Sequence, residues 1–302
     1  MKDKTAAIVV SFHPETSHLD RLFDALITQV DKIIVADNGS SPETVAWLFA
    51  QSIEDRIHLL TFGDNFGIGF AQNRGIELAR EQGYERFLLF DQDSLPTPGL
   101  VLALDRALDQ LALTGVRVGA VGPMRDDEND PSPTYFQKFD RFPPRHLYCS
   151  DASPFVQADV LISSGMLVPL QAIQGIGLMD ERLFIDHVDT EWCLRGLARD
   201  FRFFGVCDAR IQHKLGLPGP RLWLGRWRNL TIHSPIRNYY FVRNSATLIR
   251  RNYIPGLWKC YMAWTLLKYF PRNFLVPQRA LRLLMMSRGL FHSLVGRLGR
   301  LY

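Results

Sequence analysis

The stretch Phe87-Leu88-Leu89-Phe90-Asp91-Gln92-Asp93-Ser94 joins an apolar run directly to two aspartates. Four consecutive apolar residues bounded by polar ones are typical of a buried strand. If the extended backbone continues through the aspartates, both carboxylates point to the same side, because side chains alternate along a strand. At the carboxyl end of a strand, such a pair is suited to hold Mg2+ or Mn2+ against the phosphates of a substrate.

Outward from this stretch, strand-like runs alternate with segments of helical periodicity. The alternation predicts an α/β fold with a doubly wound, mostly parallel sheet and helices on both faces. In such sheets ligands bind beyond the carboxyl ends of the strands, so the polar residues that end each run are candidates for a site. The predicted strands are residues 6–12, 33–36, 57–62 and 87–90, and the predicted helices are residues 19–27, 42–50 and 71–80.

The second half of the chain has a less regular pattern. Residues 126–155 are rich in Pro, Asp and aromatic residues without a clear period, which indicates a long loop over a site or a disordered segment. Residues 160–168 resume a strand that contains Ser163-Ser164-Gly165. A helix is expected to begin after Ser234, an N-cap residue followed by proline. Three further short helical stretches are separated by Pro255, Pro271 and Pro277.

The composition is that of a globular protein. The 302 residues are 47% hydrophobic and 22% charged, which excludes collagen-like, disordered and disulfide-stapled chains and allows one large domain or two small ones. No signal peptide is recognisable, and the apolar runs are shorter than the ~20 residues that span a bilayer. The four cysteines show no paired spacing, so we expect reduced cytosolic thiols rather than disulfide bridges or a zinc site at Cys149, Cys193, Cys207 and Cys260.

Charge is distributed unevenly along the chain. The last acidic residue is Asp208, and residues 210–302 contain 17 Lys and Arg, whereas the remainder has 18 basic and 31 acidic residues. Aromatic residues alternate with the basic ones, a pattern that nucleic acid would satisfy with phosphates and bases. An anionic membrane surface would attract the cations and hold Trp and Tyr at headgroup depth. An ordinary basic helical subdomain is the third possibility, and the many Leu, Met and Ile residues favour the membrane.

A second acidic cluster precedes a predicted helix. Asp186, Asp189 and Glu191 lie within six residues of one another at the start of a helical pattern. Acidic residues stabilise the first turn of a helix through the macrodipole, but three carboxylates exceed what a cap needs, so a general base is plausible here. Glu191 and Arg195 have the spacing of a structural ion pair along a helix. His213, at an expected strand end, is a candidate metal ligand or a structural histidine.

Taken in chain order, these motifs resemble those of inverting GT-A glycosyltransferases of family 2. The resemblance covers residues 6–252, and the segment Arg237-Asn238-Tyr239-Tyr240-Phe241-Val242-Arg243-Asn244 resembles the rhamnosyltransferase branch. The other motifs are Asp37-Asn38-Gly39-Ser40, Asn65-Phe66-Gly67-Ile68-Gly69, Ala71-Gln72-Asn73, Phe90-Asp91-Gln92-Asp93-Ser94, Ser164-Gly165, Gly177-Leu178-Met179-Asp180-Glu181, the acidic segment from Phe184 to Arg195, and His213-Lys214-Leu215-Gly216.

The resemblance implies roles for individual residues. Asp189 would be the catalytic base, with Asp186 the less favoured candidate. Mg2+ or Mn2+ would be held by Asp93, Asp91 and His213. Donor contacts would come from Asp37, Asn38, Asn73, Asp91, Gln92, Arg237, Tyr240 and Arg243, and the acceptor side from Ser164, Gly165 and Trp192.

The resemblance also implies a fold and a reaction. Residues 1–230 would form a GT-A domain, Rossmann-like with a mostly parallel central sheet flanked by helices, with a nucleotide-sugar half at about 1–125 and an acceptor half at about 126–230. Residues 231–302 would form a basic, aromatic, helical C-terminal extension able to dock on an anionic membrane. The reaction would be inverting transfer of L-rhamnose from dTDP-L-rhamnose to a hydroxyl of a lipid-linked glycan acceptor in bacterial surface polysaccharide or lipopolysaccharide synthesis. The enzyme would be cytoplasmic and peripheral on the cytosolic face of the inner membrane, without a nucleic-acid partner.

Two alternatives stay open. Many family members have Arg-Asn where this chain has Gln72-Asn73. If that arginine helps to hold the donor, Arg74 or the later arginines compensate, and another sugar nucleotide such as a UDP-hexose becomes an alternative donor. The second alternative is a non-catalytic protein that binds glycans or nucleic acid on the same fold. The presence of both Asp93 and Asp189 argues against it.

Overall fold

The computed structural model of the protein describes residues 3–52, 56–126, 134–150, 153–213, 221–223, 227–229 and 234–302. For residues 213, 221–223 and 227–229 this description covers the backbone. The strands are β1 (Thr5–Ser11), β2 (Lys32–Asp37), β3 (Ile57–Thr61), β4 (Arg86–Asp91), β5 (Ser94–Pro96), β6 (Val118–Asp126), β7 (Phe136–Lys138), β8 (Arg145–Leu147), β9 (Phe155–Ala158), β10 (Met166–Pro169), β11 (Arg202–His213), β12 (Arg221–Trp223) and β13 (Trp227–Asn229). The α-helices are α1 (Thr16–Ile27), α2 (Pro42–Gln51), α3 (Ile68–Glu81), α4 (Leu100–Ala112), α5 (Leu170–Ile176), α6 (Val188–Leu197), α7 (Pro235–Ile249), α8 (Gly256–Asn273) and α9 (Arg279–Leu294).

The central sheet has the strand order β3-β2-β1-β4-β10-β6-β11-β5, with β9 paired to β11. Strands β1, β2, β3 and β4 run parallel to one another. Strand β10 is antiparallel to both β4 and β6, and β11 is parallel to β6, so β6 and β11 share the direction of β4. The carboxyl ends of these parallel strands therefore lie along one edge of the sheet, as the alternation of strands and helices predicted.

Each face of the sheet is covered by helices. Along β1, Ala7 and Val9 pack into the cluster that contains residues of α1 and α4, whereas Ala6 and Ile8 pack into the cluster that contains residues of α3, α5 and α6. Because both faces are buried, the strands are continuously apolar rather than alternating. This explains why short, uninterrupted apolar runs located the strands correctly.

The C-terminal helices begin where the sequence predicts. The Ser234 side chain accepts a hydrogen bond from the Arg237 N–H, and Pro235 occupies the first helical position of α7. Pro271 lies inside the last turn of α8 rather than between helices, so residues 250–302 form two helices where three short ones were expected. Proline removes one intrahelical hydrogen bond and crowds the carbonyl four residues before it, and α8 ends two residues after Pro271.

The structure corrects two expectations for the middle of the chain. Ser163-Ser164-Gly165 forms a turn that precedes β10 rather than part of a strand, and Gly165 has φ +81°. Within the expected long loop, β7 and β8 pair as an antiparallel hairpin. Residues 127–133, 151–152 and 214–216, and the predicted domain boundary at residue 230, lie outside the described residues.

The expectation that all four cysteines are free thiols is wrong. Cys149 and Cys207 form a disulfide across 58 residues of sequence. Strand β9 runs antiparallel beside β11, and the Cys207 N–H donates to the Pro154 carbonyl, which brings the end of the hairpin segment to β11. The spacing of the cysteines along the sequence does not indicate a contact between residues so far apart. Cys193 and Cys260 are free, as expected.

A helix needs about 20 mostly apolar residues to span a bilayer. Within the described ranges, no helix is both long enough and apolar enough to cross a membrane.

Candidate active site

Asp91 ends β4, and the two residues after it turn the chain into β5. The Asp91-Gln92-Asp93 segment is therefore a turn rather than the extended backbone that we expected, and Asp91 is partly buried while Asp93 is exposed. The Gln92 amide holds the turn in place. Its Oε1 accepts from the Phe12 N–H at 2.7 Å, and its Nε2 donates to the Phe12 carbonyl at 3.1 Å. Gln92 thus joins the carboxyl ends of β1 and β4.

The Asp91 carboxyl lies in a strongly acidic environment. Its Oδ1 is buried without a hydrogen-bond partner among the residues that the structure describes. Burial raises its pKa, the charges of Asp93 and Asp189 raise it further, and Arg237 partly opposes them, which leaves a pKa of about 7. A carboxylate that is surrounded by other carboxylates favours a proton or a cation. The edge of the sheet therefore contains a site with affinity for positive charge.

Asp189 lies in the first turn of α6. The turn at Ser163 and Ser164 connects it to Asp91. The Asp189 Oδ1 accepts from the Thr190 N–H at 2.7 Å and its Oδ2 from the Ser163 N–H at 3.3 Å. Next in the chain, the Ser164 hydroxyl accepts from the Asp91 N–H at 3.4 Å. Burial raises the pKa of Asp189 against these hydrogen bonds. A carboxylate with a raised pKa is a better proton acceptor, which suits a general base.

Arg237 reaches the same cluster from the start of α7. Its Nε donates to Asp186 Oδ1 at 3.1 Å. The other carboxylate oxygen of Asp186 is buried and has no partner in the described portion of the chain. Burial raises the pKa of Asp186, and Arg237 lowers it. Arg237 consequently supplies positive charge beside Asp186 and Asp91, and its contact with the donor stays a prediction.

The backbone that leads into α6 is strained. Phe184, Asp186 and His187 have φ values of +69°, +63° and +63°. Residues other than glycine rarely adopt this conformation, and such strain persists only where surrounding contacts enforce it. His187 is fixed by a 2.9 Å hydrogen bond between its Nε2 and the Ser245 hydroxyl of α7, and its burial lowers its pKa to about 4.

Asn244 of α7 enforces this backbone, and sequence reasoning assigned it no role. Its Nδ2 lies within hydrogen-bonding distance of the carbonyls of Leu183, Ile185 and Asp186, at 2.9, 2.8 and 2.9 Å. Asn244 is fully buried. The signal that could have identified it is a polar amide at the end of the Arg237–Asn244 motif, within a helix that is otherwise largely apolar.

Asp37 and Asn38 form the turn after β2. The Asp37 carboxylate accepts from the hydroxyls of Ser11 at 3.0 Å and Ser40 at 2.5 Å, and from the Ser40 N–H at 3.0 Å. Asn38 Nδ2 donates to Asn65 Oδ1 at 3.1 Å, which links this turn to the one before α3. The structure thus places both residues at the carboxyl edge, with hydrogen bonds that shape the turn, and their donor contacts stay predictions.

The Asn73 side chain connects α3 to the segment before α6 through hydrogen bonds. Its Nδ2 lies 3.0 Å from the Met179 carbonyl and 2.8 Å from Glu181 Oε1, and its Oδ1 accepts from the Met179 N–H at 2.9 Å. The neighbouring Gln72 is buried, and its Oε1 has no partner within the described ranges. Arg74 pairs with Glu181 at 3.0 Å.

Three predicted contacts lie inside the packing rather than beside the acidic cluster. The Trp192 indole donates to the Gly177 carbonyl at 2.8 Å. Arg243 is fully buried and donates to the carbonyls of Leu183 and Gly299. The Tyr240 hydroxyl accepts from the Leu301 N–H at 2.9 Å. The structure does not bring these side chains to Asp91, and their ligand roles stay predictions.

His213 and Glu191 complete the predicted set. His213 ends β11 opposite Ser94, so its backbone lies next to Asp93, while its side chain is outside the described part of the structure. Glu191 forms the expected pair with Arg195, at 2.9 and 3.0 Å, and also accepts from the Tyr253 hydroxyl at 2.5 Å. Glu191 therefore has a structural role on the face of α6 away from Asp189.

Comparison with known sequences assigns the chain to a family. The glycosyl transferase family 2 model matches residues 7–157, half of the chain. A curated relative from Shigella flexneri, "dTDP-rhamnosyl transferase RfbF", is 31% identical over 259 residues, which are 85% of this chain and 83% of the relative. The chain belongs to glycosyl transferase family 2.

Solved structures similar to this family 2 transferase confirm its fold. A crystal structure of GalNAc-T7 with UDP, GalNAc and Mn2+ matches with a TM-score of 0.57 and 11% identity, over 98% of this chain and 58% of that one. A crystal structure of S. aureus TarS 1–349 matches with a TM-score of 0.58 and 12% identity, over 96% of this chain and 80% of that one. The GT-A architecture with C-terminal helices, which the sequence predicted, is confirmed.

The acidic edge of this family 2 transferase fits a divalent cation. Among the side chains that the structure describes, no group of three or more His, Cys, Asp or Glu is arranged to enclose a metal. Mg2+ nevertheless binds commonly through one or two carboxylates together with substrate phosphates, so a full protein cage is not required. The buried, unpartnered Asp91 Oδ1 beside the charges of Asp93 and Asp189 is an arrangement of this kind.

Proposed function

We propose that this family 2 transferase moves L-rhamnose from dTDP-L-rhamnose to a hydroxyl group of a glycan, with inversion at the anomeric carbon. The donor assignment rests on the 31% identity to a dTDP-rhamnosyl transferase over 85% of the chain. The match also covers 83% of the relative, so the two chains are alike over most of their lengths. The acceptor that we infer is a lipid-linked glycan of bacterial surface polysaccharide or lipopolysaccharide synthesis.

Asp189 is the general base in this proposal. Its carboxylate is held by the Ser163 and Thr190 N–H groups, beside the turn that also contacts Asp91. It accepts the proton of the acceptor hydroxyl as that oxygen bonds to the anomeric carbon and the bond from this carbon to the diphosphate oxygen breaks. The electron pair of that bond leaves with the diphosphate, and Arg237 lies where it can stabilise the charge.

Mg2+ or Mn2+ is the proposed cofactor. Asp91 and Asp93 would hold it, with His213 as the third candidate. The cation would neutralise the negative charge that develops on the departing diphosphate. Two observations support this assignment: the pKa of Asp91, raised to about 7 by burial and neighbouring carboxylates, and a structural neighbour crystallised with Mn2+.

A thermal-shift titration tests the donor. We expect dTDP-L-rhamnose with Mn2+ to raise Tm more than UDP-glucose or UDP-GalNAc at the same concentration, since stabilisation of the native state grows with the logarithm of ligand concentration over Kd. Excess chelator should reduce the shift. A larger shift with a UDP-sugar would replace the donor, and a protein that binds nucleotide sugars yet never transfers one would instead be a binding protein.

We also propose that α8 and α9 dock on an anionic membrane. Both helices expose large apolar side chains beside basic ones, and Lys268 lies over the Trp264 ring at 5.1 Å. Large exposed apolar patches mark interaction surfaces, and the charge of the segment suits anionic lipid. The exposed apolar side chains are Leu257, Trp264, Leu267, Phe274, Leu275, Leu281, Leu284, Leu290, Phe291 and Leu294.

A further inference from the structure

The β7–β8 hairpin has one face in the core and one face outside. Its register pairs Phe136 with Leu147 and Gln137 with His146. Phe136 and Leu147 pack into the core beside the sheet. Because side chains alternate along each strand, the neighbouring residues project from the opposite face of the hairpin. These are Tyr135, Gln137, His146 and Tyr148.

Three rings on this outer face are arranged as a platform. The Tyr135 and His146 rings stack with centroids 3.7 Å apart and planes at 10°. The Tyr148 ring packs edge-on against the Tyr135 ring, with centroids 6.0 Å apart and an angle of 66° between the ring planes. Tyr135 is 38% exposed and Tyr148 is 52% exposed. We call Tyr135, His146 and Tyr148 the aromatic platform. Its rings order one another, yet leave aromatic surface and polar ring edges open to solvent.

The aromatic platform lies at the edge of the sheet where the candidate active site is found. The Thr134 hydroxyl donates to the Arg125 carbonyl, near the carboxyl end of β6. That strand runs parallel to β4, so its carboxyl end shares the edge at which Asp91 lies. The start of the hairpin is therefore held at the same edge of the sheet as the acidic cluster, two strands from β4.

A second connection links the strand that carries the platform to the base through a short stretch of chain. Gln137, on the same face as the platform, forms a bridge with Val160. Ser163, three residues after Val160, donates its N–H to Asp189. Three residues span at most about 11 Å. A chain of a few sugars could thus contact the platform while one of its hydroxyls reaches Asp189.

We propose that the aromatic platform binds a pyranose ring of the acceptor glycan, a few sugar units from the hydroxyl that is glycosylated. The C–H face of a pyranose is apolar and flat enough to stack on an aromatic ring, and its hydroxyls project sideways to polar groups. The Tyr hydroxyls, the imidazole and the Gln137 amide supply donors and acceptors on the same face of the hairpin. This inference rests on the proposed function, since it assigns the sugar-binding part of the acceptor side.

Saturation-transfer difference NMR tests the platform directly. The probes are the methyl glycosides of L-rhamnose, D-glucose, D-galactose and N-acetyl-D-glucosamine, each added to the full-length protein without nucleotide. We expect at least one glycoside to bind with saturation strongest on its ring C–H protons. Tyr148→Ala should weaken that binding about three- to tenfold, the usual effect of losing one aromatic contact, and Tyr148→Phe should retain most of it.

Phe142→Ala is the matched control, because Phe142 is an equally exposed ring (50%) on the same hairpin segment and lies outside the stack. Its glycoside binding should equal that of the wild type. Absence of binding by every glycoside, or equal binding by the Tyr148→Ala protein, would overturn the proposal. Donor binding is measured separately by thermal shift, so a wrong donor assignment leaves this result unchanged. Unfolding midpoints of the variants show whether each is folded.

Discussion

The carboxyl group of Asp91 illustrates how burial among like charges alters a single residue. With Asp93 and Asp189 nearby and only partial compensation from Arg237, its pKa rises to about 7. A bound cation would reverse the effect, because a positive charge favours the ionised form. A proton and a cation therefore compete for the Asp91 carboxylate. The Asp189 carboxylate, in contrast, is oriented by hydrogen bonds from backbone N–H groups.

Replacing the proposed base, Asp189, by asparagine removes the proposed proton acceptor and keeps the shape of the side chain. We expect Asp189→Asn to lower turnover by about 10²- to 10⁴-fold, the usual contribution of a general base, and to change donor affinity little. Steady-state transfer assays and donor thermal shifts measure the two effects. Asp200→Asn, at an exposed position, should behave as the wild type. Turnover lost in Asp186→Asn but retained in Asp189→Asn would move the role to Asp186.

Asp180 gives a pH-dependent prediction. Burial of its carboxyl raises the pKa, but hydrogen bonds from Arg182 and Arg251 outweigh burial and lower the pKa to about 2. A folded-state pKa below the unfolded value means that ionised Asp180 stabilises the fold above about pH 4, and that this contribution is lost as the pH falls towards 2. The difference corresponds to about 2 kcal/mol at neutral pH.

We therefore expect Asp180→Asn to reduce the free energy of unfolding by about 2 kcal/mol at pH 7, with the deficit shrinking as the pH approaches 2. Urea unfolding at a series of pH values measures this difference. The exposed Asp200→Asn variant serves again as the comparison. A deficit that stays constant with pH would mean that shape, rather than charge, explains the effect of the substitution.

At the scale of elements, the C-terminal helices are closely packed against one another. A Cβ built at Gly289 of α9 would lie 2.5 Å from the Tyr239 carbonyl oxygen and 3.2 Å from the Arg243 nitrogen, both in the backbone of α7. Backbone atoms cannot rotate away as a side chain does. The two helices can approach this closely because position 289 lacks a side chain.

Gly289→Ala should consequently separate α7 from α9 and destabilise the protein by about 1–3 kcal/mol, as overpacking typically does. Gly256→Ala is the matched control, since the same added carbon at the start of α8 meets no atom within 4 Å. That control should be neutral or slightly stabilising, because alanine is the better helix former. Equal unfolding free energies for the two variants in urea would contradict the close contact.

The sequence predicts elements well where the signal is local. Apolar runs of four to seven residues located β1, β2 and β4, because a strand buried on both faces is apolar throughout. The N-cap and proline at Ser234-Pro235 located the start of α7. Both signals involve only a few neighbouring residues, so they can be recognised in a single sequence.

Prediction fails where contacts are distant or the backbone departs from regular geometry. The disulfide between Cys149 and Cys207 depends on the pairing of β9 with β11. The turn at Gln92 depends on a hydrogen bond to Phe12, 80 residues away. The proximity of Asp91 to Asp189 likewise depends on how the 163–164 turn packs, although the two acidic motifs were recognised separately.

At the scale of the whole molecule, charge and apolar surface are segregated. The segment without acidic residues forms α7 to α9, and these helices carry most of the exposed Leu side chains. Trp264 and Leu267 are one helical turn apart on α8 and are 49% and 69% exposed. Such a surface would associate with lipid through both burial of apolar area and attraction to anionic headgroups.

Vesicle flotation measures this association. We expect the protein to float with phosphatidylglycerol vesicles, to do so less as salt is raised, and to bind phosphatidylcholine weakly. Trp264→Gln combined with Leu267→Gln should weaken binding about tenfold or more, given the apolar area removed. Leu113→Gln, at a 90% exposed leucine after α4, should have no effect. Undiminished flotation of the double variant would assign the interaction to another surface.

The hydrogen bonds from Asn244 to the strained backbone before α6 have a practical consequence for dissecting the enzyme. A fragment that stopped before residue 234 would lose the amide that keeps Leu183, Ile185 and Asp186 in place. Asp189, the proposed general base, follows three residues after Asp186. Truncation is therefore expected to inactivate the remaining fragment, so the proposed catalytic and membrane-docking roles can be separated by surface point substitutions but not by cutting the chain.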